Sequence, residues 1–577
     1  MTRAEGLELL SLHNNVSSKM KCQHHLMMVL IVSWSGGGFA AYEWNNNDMA
    51  IQHVAAFLHN NPHLKQLCLK DDGCPYKEGL RSSVGEGNCW GYENDCNNAD
   101  KLPDCPGDSQ NWAPDKTSQK QEFWNTADFG YVQQHRKERK LYCRPGKPDD
   151  SSLECTDHLR MCHASNIFID LSTAGLSHST NPYREDVLKK NQIGGHCHLN
   201  KELLQSQLDH KSPLQSWAAE MEHYTELVDL KCDIFISRPT YLIKLDATVN
   251  MYHHFCDFVN LYISQHINNS FNLDVNIIIW DTSGHNMNPM FIETWKAFTK
   301  HPLMLLKDFD GKRVCIKQAV FSLLARMRRG LYYNMPLIPG CYGSSLIRSF
   351  SHHLIHRLRI PQNGPLESKI RVTLLTRSTQ YRQILNQDQL LRSLQTDVEM
   401  EVQQVDFNRT VPFLKQIEIS HNTDILIGMH GAGLTHMLFQ PDWGVIFELY
   451  NCEDAGCYLD LSRLRGIRYL TWKNKQLLTQ EDEGHHPTLG AHAKFTNYAF
   501  DVDEFMRLVR LGAAYVKHHP AFHAAHTARF FSTELQQEKQ HQDSITLQKQ
   551  YQQHKENHGI SGSIPPEKLN SFPRDDL

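Results

Sequence analysis

Residues 236–518 read as two Rossmann-like α/β domains facing each other across a cleft, with a cysteine-rich region ahead of them. Three observations carry this expectation. Short apolar runs at 241–245, 277–280, 314–323, 370–375, 425–427, 445–449 and 468–472 alternate with helical patterns, and strands that alternate with helices imply parallel sheets. The stretch 355–368 (IHRLRIPQNGPLES) holds Pro361, Gly364 and Pro365, breakers that suit a linker between two sheets. Nine of the sixteen cysteines lie between Cys68 and Cys197, in a segment with little helix or strand periodicity.

The 577 residues allow three or four units at ~100–200 residues each, and 40% apolar content allows a full core. The 59 basic and 64 acidic residues give a formal charge of −5, which argues against nucleic acid as the partner. Residues 1–40 have the order of a signal peptide: Lys19 and Lys21, an apolar core at 26–32, then small residues up to Ala40. Region 41–235 is expected to be loop-rich and stapled by disulfides, as in secretory proteins, because its cysteine spacings are irregular and lack paired zinc knuckles. Its Trp90, Trp112, Trp124 and Trp217 read as packing residues. Without Cys22 fifteen cysteines remain, so at least one thiol is free, with Cys256, Cys315 and Cys341 as candidates.

In the first Rossmann-like domain (236–365), which the resemblance given below implies is the acceptor-side one, Tyr252-His253-His254-Phe255-Cys256-Asp257 falls on a helix. His253 and Asp257, four apart, share a helix face. That spacing suits a base with its orienting carboxylate, a metal pair or a structural ion pair. In the second, nucleotide-binding domain (366–518), Arg377 and Arg382 follow the strand 370–375, where two guanidinium groups can grip a pyrophosphate. The strand 425–427 runs into Gly428-Met429-His430-Gly431-Ala432-Gly433. This is a strand, glycine turn and helix in which Gly431 and Gly433 admit a phosphate to backbone N–H groups. Glu448 ends the next strand, where a carboxylate can accept from a ribose. Asn268 and Asn408 are N-glycosylation acceptors by their N-x-S/T sequons. The polar tail 519–577 reads as a solvated helix or as disordered, and it ends in Arg574-Asp575-Asp576-Leu577, an imperfect endoplasmic-reticulum retrieval signal.

The segments MYHHFCDF, IRVTLLTRSTQYRQILNQ, NTDILIGMHGAGLTH, FELYNCEDAGCYLDLSRLRG and GHHPTLG occur in that order. Over about residues 42–516 the chain resembles glycosyltransferase family 61, which includes plant xylosyltransferases and animal transferases that modify EGF-like domains. The resemblance implies a GT-B arrangement and transfer of N-acetylglucosamine from UDP-GlcNAc to Ser or Thr of EGF-like repeats, with inversion. Acceptors would be Notch-like receptors and extracellular matrix proteins met in the endoplasmic reticulum lumen. It implies that Arg377 and Arg382 hold the diphosphate, that the turn from His430 to Gly433 approaches it, and that Glu448 meets the uridine. His253 or Asp257 would be the base. One departure stands out: Lys300-His301-Pro302 occupies the place of the family's acidic D-x-D-like triplet. Asp308-Phe309-Asp310 follows eight residues later, as a stand-in ligand pair for a divalent cation such as manganese or as a simple turn. The rival readings are a transferase of the same fold with another donor or acceptor, such as a xylosyltransferase, and an inactive lectin-like protein.

Overall fold

Each of the seven apolar runs expected as strands is one, to within two residues. In chain order the strands are β1 Lys140–Arg144, β2 Ser152–Cys155, β3 Cys162–Asp170, β4 Ile193–Gly195, β5 His198–Leu199, β6 Tyr224–Glu226, β7 Ile234–Ile236, β8 Thr240–Ile243, β9 Asn276–Ile279, β10 Met304–Leu305, β11 Arg313–Phe321, β12 Ile370–Leu375, β13 Met400–Val405, β14 Ile425–Gly428, β15 Val445–Glu448, β16 Arg468–Thr471, β17 Leu478–Gln480 and β18 Tyr498–Phe500. The computed structural model describes residues 42–529 apart from 79–88, 94–95, 210, 229, 285–288 and 334–338, and beyond 529 only 546 and 549. The expected signal peptide and the terminal RDDL lie outside the described residues. All the elements above belong to the unit Trp44–Leu577.

The first sheet is mixed and has eleven strands. Its parallel block runs β10-β9-β8-β11, and β7 lies parallel to the first half of β11. From β11 the sheet continues antiparallel through β3, β2, β1 and β5, with β4 beside β3 and β6 parallel to β4. Residues on both sides of 235 therefore share one sheet. The cysteine-rich region is more ordered than its periodicity suggests, because bridges do much of the work of fixing short strands. Cys143–Cys197 and Cys155–Cys162 staple its hairpins, Cys232–Cys315 ties it to β11, and Cys105–Cys341 spans 236 residues. Cys68–Cys74 and Cys89–Cys96 close small loops. The expectation for free thiols is corrected accordingly: Cys315 and Cys341 are bridged, and among the described residues the free ones are Cys256, as expected, with Cys452 and Cys457.

The second sheet is wholly parallel, in the order β13-β12-β14-β15-β16. β12, β14 and β15 are buried on both faces, which is why each reads as an unbroken apolar run. At its N-terminal end a buried pair fixes register: Arg371 Nη2 lies 2.7 Å from Asp424 Oδ1, which also accepts from Trp443 Nε1 at 2.8 Å.

Chain direction across each parallel block reverses once, between β8 and β11 in the first sheet and between β12 and β14 in the second. Ligands of such sheets bind outside the C-terminal strand ends at the reversal. Helix Met251–Ile267, capped by the Asn250 side chain, follows β8 and is buried almost all round, so only its first turn is free to serve a site. Among the described residues no helix is long and apolar enough to cross a membrane.

Candidate functional site

Both arginines expected at the second sheet stand at its reversal point. Arg377 follows the end of β12 by two residues, next to the end of β14. Arg382 Nη1 donates to the His430 carbonyl at 3.0 Å, and Arg377 Nε donates to Thr379 Oγ1 at 3.2 Å. A Cβ on Gly431 would collide with Arg377 Nη1 and lie 3.5 Å from Arg382 Nη1, so the two guanidinium groups converge over that glycine. Among the described residues neither has a carboxylate in ion-pair contact, and Arg382 Nε is buried with no acceptor. Burial, with the charge of Arg382 beside it, pushes Arg377 down to about 10. Two crowded, half-desolvated cations of this kind could hold a polyanion such as a diphosphate.

The glycine turn differs in detail from the expectation. Ala432–Phe439 is a 3-10 helix, and Gly433 faces Leu375 rather than the arginines. His430 Nδ1 lies 2.8 Å from Glu448 Oε1, and the Tyr469 hydroxyl donates to Glu448 Oε2. Glu448 is fully buried. With no surface and both oxygens engaged, it orients His430 instead of meeting a ribose. His430 Nε2 lies 3.7 Å from Asp454 Oδ2, which pairs with Lys494 Nζ at 2.7 Å.

A second cluster stands at the reversal point of the first sheet. Asp246 follows β8, and Arg326 follows β11. Asp246 Oδ2 is 2.8 Å from Arg326 Nε and 3.1 Å from His253 Nδ1. Arg326 Nη2 is 3.3 Å from that same nitrogen. The guanidinium can only donate and the carboxylate can only accept, so Arg326 and Asp246 compete for Nδ1, and the hydrogen sits there only when Asp246 takes it. Burial raises Asp246, but bonds from His253 and Arg326 outweigh it and hold the carboxyl below its usual range. The Arg326 guanidinium also stacks 4.1 Å over Tyr333.

The expected His253–Asp257 pair does not form. Asp257 Oδ2 pairs instead with His254 Nδ1 at 3.1 Å, both groups being buried. His254 lies against the rings of Phe258, Phe291 and Trp295. Asp257 is four residues from one histidine and three from the other, and the core-facing histidine takes it. Burial lifts Asp257 to about 6 against the bond from His254. It also accepts from the Asp246 backbone N–H at 3.2 Å, so it supports the site from beneath. Asp246 and Arg326 escaped the reading of the sequence, although a polar residue just past a buried strand was the available signal. Rings link the two clusters: Tyr252 lies 5.8 Å from Tyr458, which lies 5.1 Å from His430.

Residues 251–447, which include every group above except Asp246, Glu448, Asp454, Tyr458, Tyr469 and Lys494, match the family model for Glycosyltransferase 61. The EGF domain-specific O-linked N-acetylglucosamine transferase of Gallus gallus is 52% identical over 491 residues, covering 83% of this chain and 91% of that protein. Its counterpart in Canis lupus familiaris is 52% identical over 477 residues (81% and 90%), and that in Drosophila melanogaster 47% over 484 (82% and 91%). The chain belongs to the glycosyltransferase 61 family.

As a glycosyltransferase it takes its sugar from a nucleotide-sugar donor, and the remaining expected residues can be placed against that task. Asp308 Oδ2 accepts from Leu305 N at 2.8 Å, and Asp310 Oδ2 accepts from Ser177 N and Oγ at 3.1 and 3.0 Å. The first is a turn bond and the others tie this turn to the segment Leu176–His178, and both residues precede β11, so they sit at the opposite end of the sheet from Asp246 and Arg326. This donor set does not fit a cation serving the diphosphate. Lys300 and His301 precede β10 at that same far end, where His301 Nε2 meets Asp274 Oδ1 at 2.6 Å. Among the described residues Cys89, Glu93 and Cys96 cluster as possible ligands, but those two sulfurs are bonded to each other. Asn268 caps the C-terminus of helix Met251–Ile267 and is half-buried, whereas Asn408 stands in a turn after β13, its Oδ1 accepting from Thr410 N at 2.8 Å.

Proposed function

We propose that this glycosyltransferase moves N-acetylglucosamine from UDP-GlcNAc to a serine or threonine hydroxyl of an EGF-like repeat, with inversion. The observation that carries the donor half is the convergence of Arg377 and Arg382 over Gly431 without a carboxylate partner. The acceptor half follows the printed names of relatives that match over nine-tenths of their length. The two reversal points, bridged by Tyr252 and Tyr458, support the GT-B arrangement of two Rossmann-like halves facing across a cleft.

In this reading the arginines hold the diphosphate and neutralise charge that grows on it as the glycosidic bond breaks. Asp246 takes the hydrogen bond from His253 Nδ1, His253 Nε2 takes the proton of the acceptor hydroxyl, and Asp246 stabilises the resulting imidazolium. Arg326 fixes the Asp246 carboxylate. Work in the endoplasmic reticulum lumen accords with six disulfides and two sequons. The test is mass spectrometry of a folded EGF-like repeat incubated with purified protein and a panel of nucleotide sugars. A mass gain of one N-acetylhexosamine with UDP-GlcNAc alone is expected. A gain only with UDP-xylose, or with no donor, would overturn the reading.

A further inference from the structure

The ladder around β8 ends at Ile243, whose carbonyl accepts from Trp280 N at 2.7 Å, while on the β11 side Ser322 N donates to Leu242 O at 3.1 Å. Asp246 lies beyond that ladder, so side chains place it. The Tyr183 hydroxyl donates to the Leu245 carbonyl, and the Asp257 carboxylate accepts from Asp246 N at 3.2 Å. The third anchor is a buried charge pair. Lys244 Nζ meets both oxygens of Glu220, at 2.8 and 2.9 Å, and the two side chains are only 1% and 8% exposed. The same ammonium lies 4.5 Å over the Trp217 ring, and Trp217 Nε1 donates to the Ser322 carbonyl at 2.8 Å. Glu220 belongs to helix Ala218–Met221. The pair therefore ties the tails of β8 and β11, which carry Asp246 and Arg326, to one point in the cysteine-rich region.

A buried ion pair is a poor source of stability, because desolvation offsets the attraction and apolar side chains of similar volume serve as well or better. What it supplies is a fixed distance. Two charge-assisted bonds from one ammonium to one carboxylate hold the main chain at Lys244 in place. We propose that Glu220 and Lys244 are positioning residues for the transfer reaction, holding the end of β8 so that the Asp246 carboxylate stays within bonding distance of His253 Nδ1. The proposal rests on reading His253 as the base and Asp246 as its partner. Glu220 and Lys244 act through the main chain that runs from Lys244 to Asp246. A misplacement of about 1 Å at a reacting group can lower a rate by as much as ~10²-fold, so a slack anchor is felt in the rate before it is felt in the fold.

Transfer kinetics against pH, with a melting curve and calorimetry of UDP on each purified variant, test it. Glu220→Met combined with Lys244→Met removes both charges together, so the net charge near His253 is unchanged and the site stays apolar. Its melting temperature is expected to hold or rise. With the anchor gone, kcat should fall about ten-fold and UDP affinity should stay as it was. The acidic limb of the profile should move to lower pH, because an imidazole that loses its carboxylate gives up its proton more readily. Glu220→Asp keeps the charge but shortens its reach by a methylene. It should move rate and limb in the same directions by a smaller factor, and it decides the matter if the double variant does not fold. A structural role alone would scale the rate with the folded fraction and leave the limb in place, and that result in every variant that folds would overturn the proposal. If Asp246→Asn also leaves the limb in place, the base itself is misread and the proposal falls with it.

Discussion

A carboxylate that meets an imidazole on one side and a guanidinium on the other has its charge and position both fixed, which is the situation of Asp246. General-base catalysis is worth roughly 10²–10⁴-fold, so Asp246→Asn should lower kcat about 10²-fold, displace the acidic limb of the pH profile and leave UDP affinity intact. An unchanged pH profile would remove His253 from the role of base. Asp257→Asn separates the buried pair from the chemistry. Its native carboxyl sits near 6, above the usual range, so the neutral form favours folding below about pH 4 and that contribution is lost as pH rises through 6. The variant should flatten that part of the stability curve in chemical denaturation while keeping most of the rate. A rate loss as deep as that of Asp246→Asn would return Asp257 to the catalytic machinery. At Gly431 the requirement is space: Gly431→Ala drives a methyl into Arg377 Nη1. Displacing one arm of the pair should weaken UDP by about ten-fold, measured by calorimetry; normal affinity would mean that the arginines do not act together.

Among the elements, direction decides what each loop can reach. The strands of the first parallel block deliver Asp246 and Arg326 to one end, and the turn with Asp308 and Asp310 to the other. If the arginines offset the diphosphate charge as proposed, transfer should persist in EDTA at more than about half the untreated rate. Loss of activity restored by manganese would mean ligands outside the groups named above. The same logic separates what could be read in the sequence from what could not. β12, β14 and β15 were legible because they are buried on both faces, and the turns after them because arginine and glycine stand out there. β13 was not, since it is an edge strand whose Glu401, Gln403 and Gln404 face outward or half outward. β1 to β6 were hidden because short antiparallel strands held by disulfides need no long apolar run. The His253–Asp257 spacing misled for a different reason: helical periodicity says which residues share a face, but not which of two adjacent histidines faces the core.

Across the whole molecule, buried imidazoles set the response to acid. His53, His266 and His353 meet where helices Ile51–His59, Met251–Ile267 and Ser345–Arg357 pack together, with Tyr262 ring-to-ring at 4.6 Å from His266 and 5.1 Å from His353. Burial lowers His53 to about 3 and drives the other two well below the usual value; it lowers His421 and His436 to about 4. A histidine depressed in the native state contributes stability that is complete above about 6.5 and is lost as pH falls, because the unfolded chain takes up the proton first. Two buried carboxyls and a partly exposed one act in the opposite sense, since desolvation lifts Asp128 to about 7 and Asp257 and Asp460 to about 6, and their contribution grows on acidification. Burial also lowers His163 and His519, so among the described residues the lowered imidazoles outnumber the three raised carboxyls and leave a net loss over the interval from 6.5 to 4. The melting temperature should therefore fall between pH 7 and pH 5 and fall more steeply toward pH 4, and His353→Gln, which cannot be protonated, should shrink that fall even if it lowers stability at pH 7. A melting temperature that is level or rising from pH 7 to 5 would mean that these imidazoles find water or an anion in the folded state and titrate there.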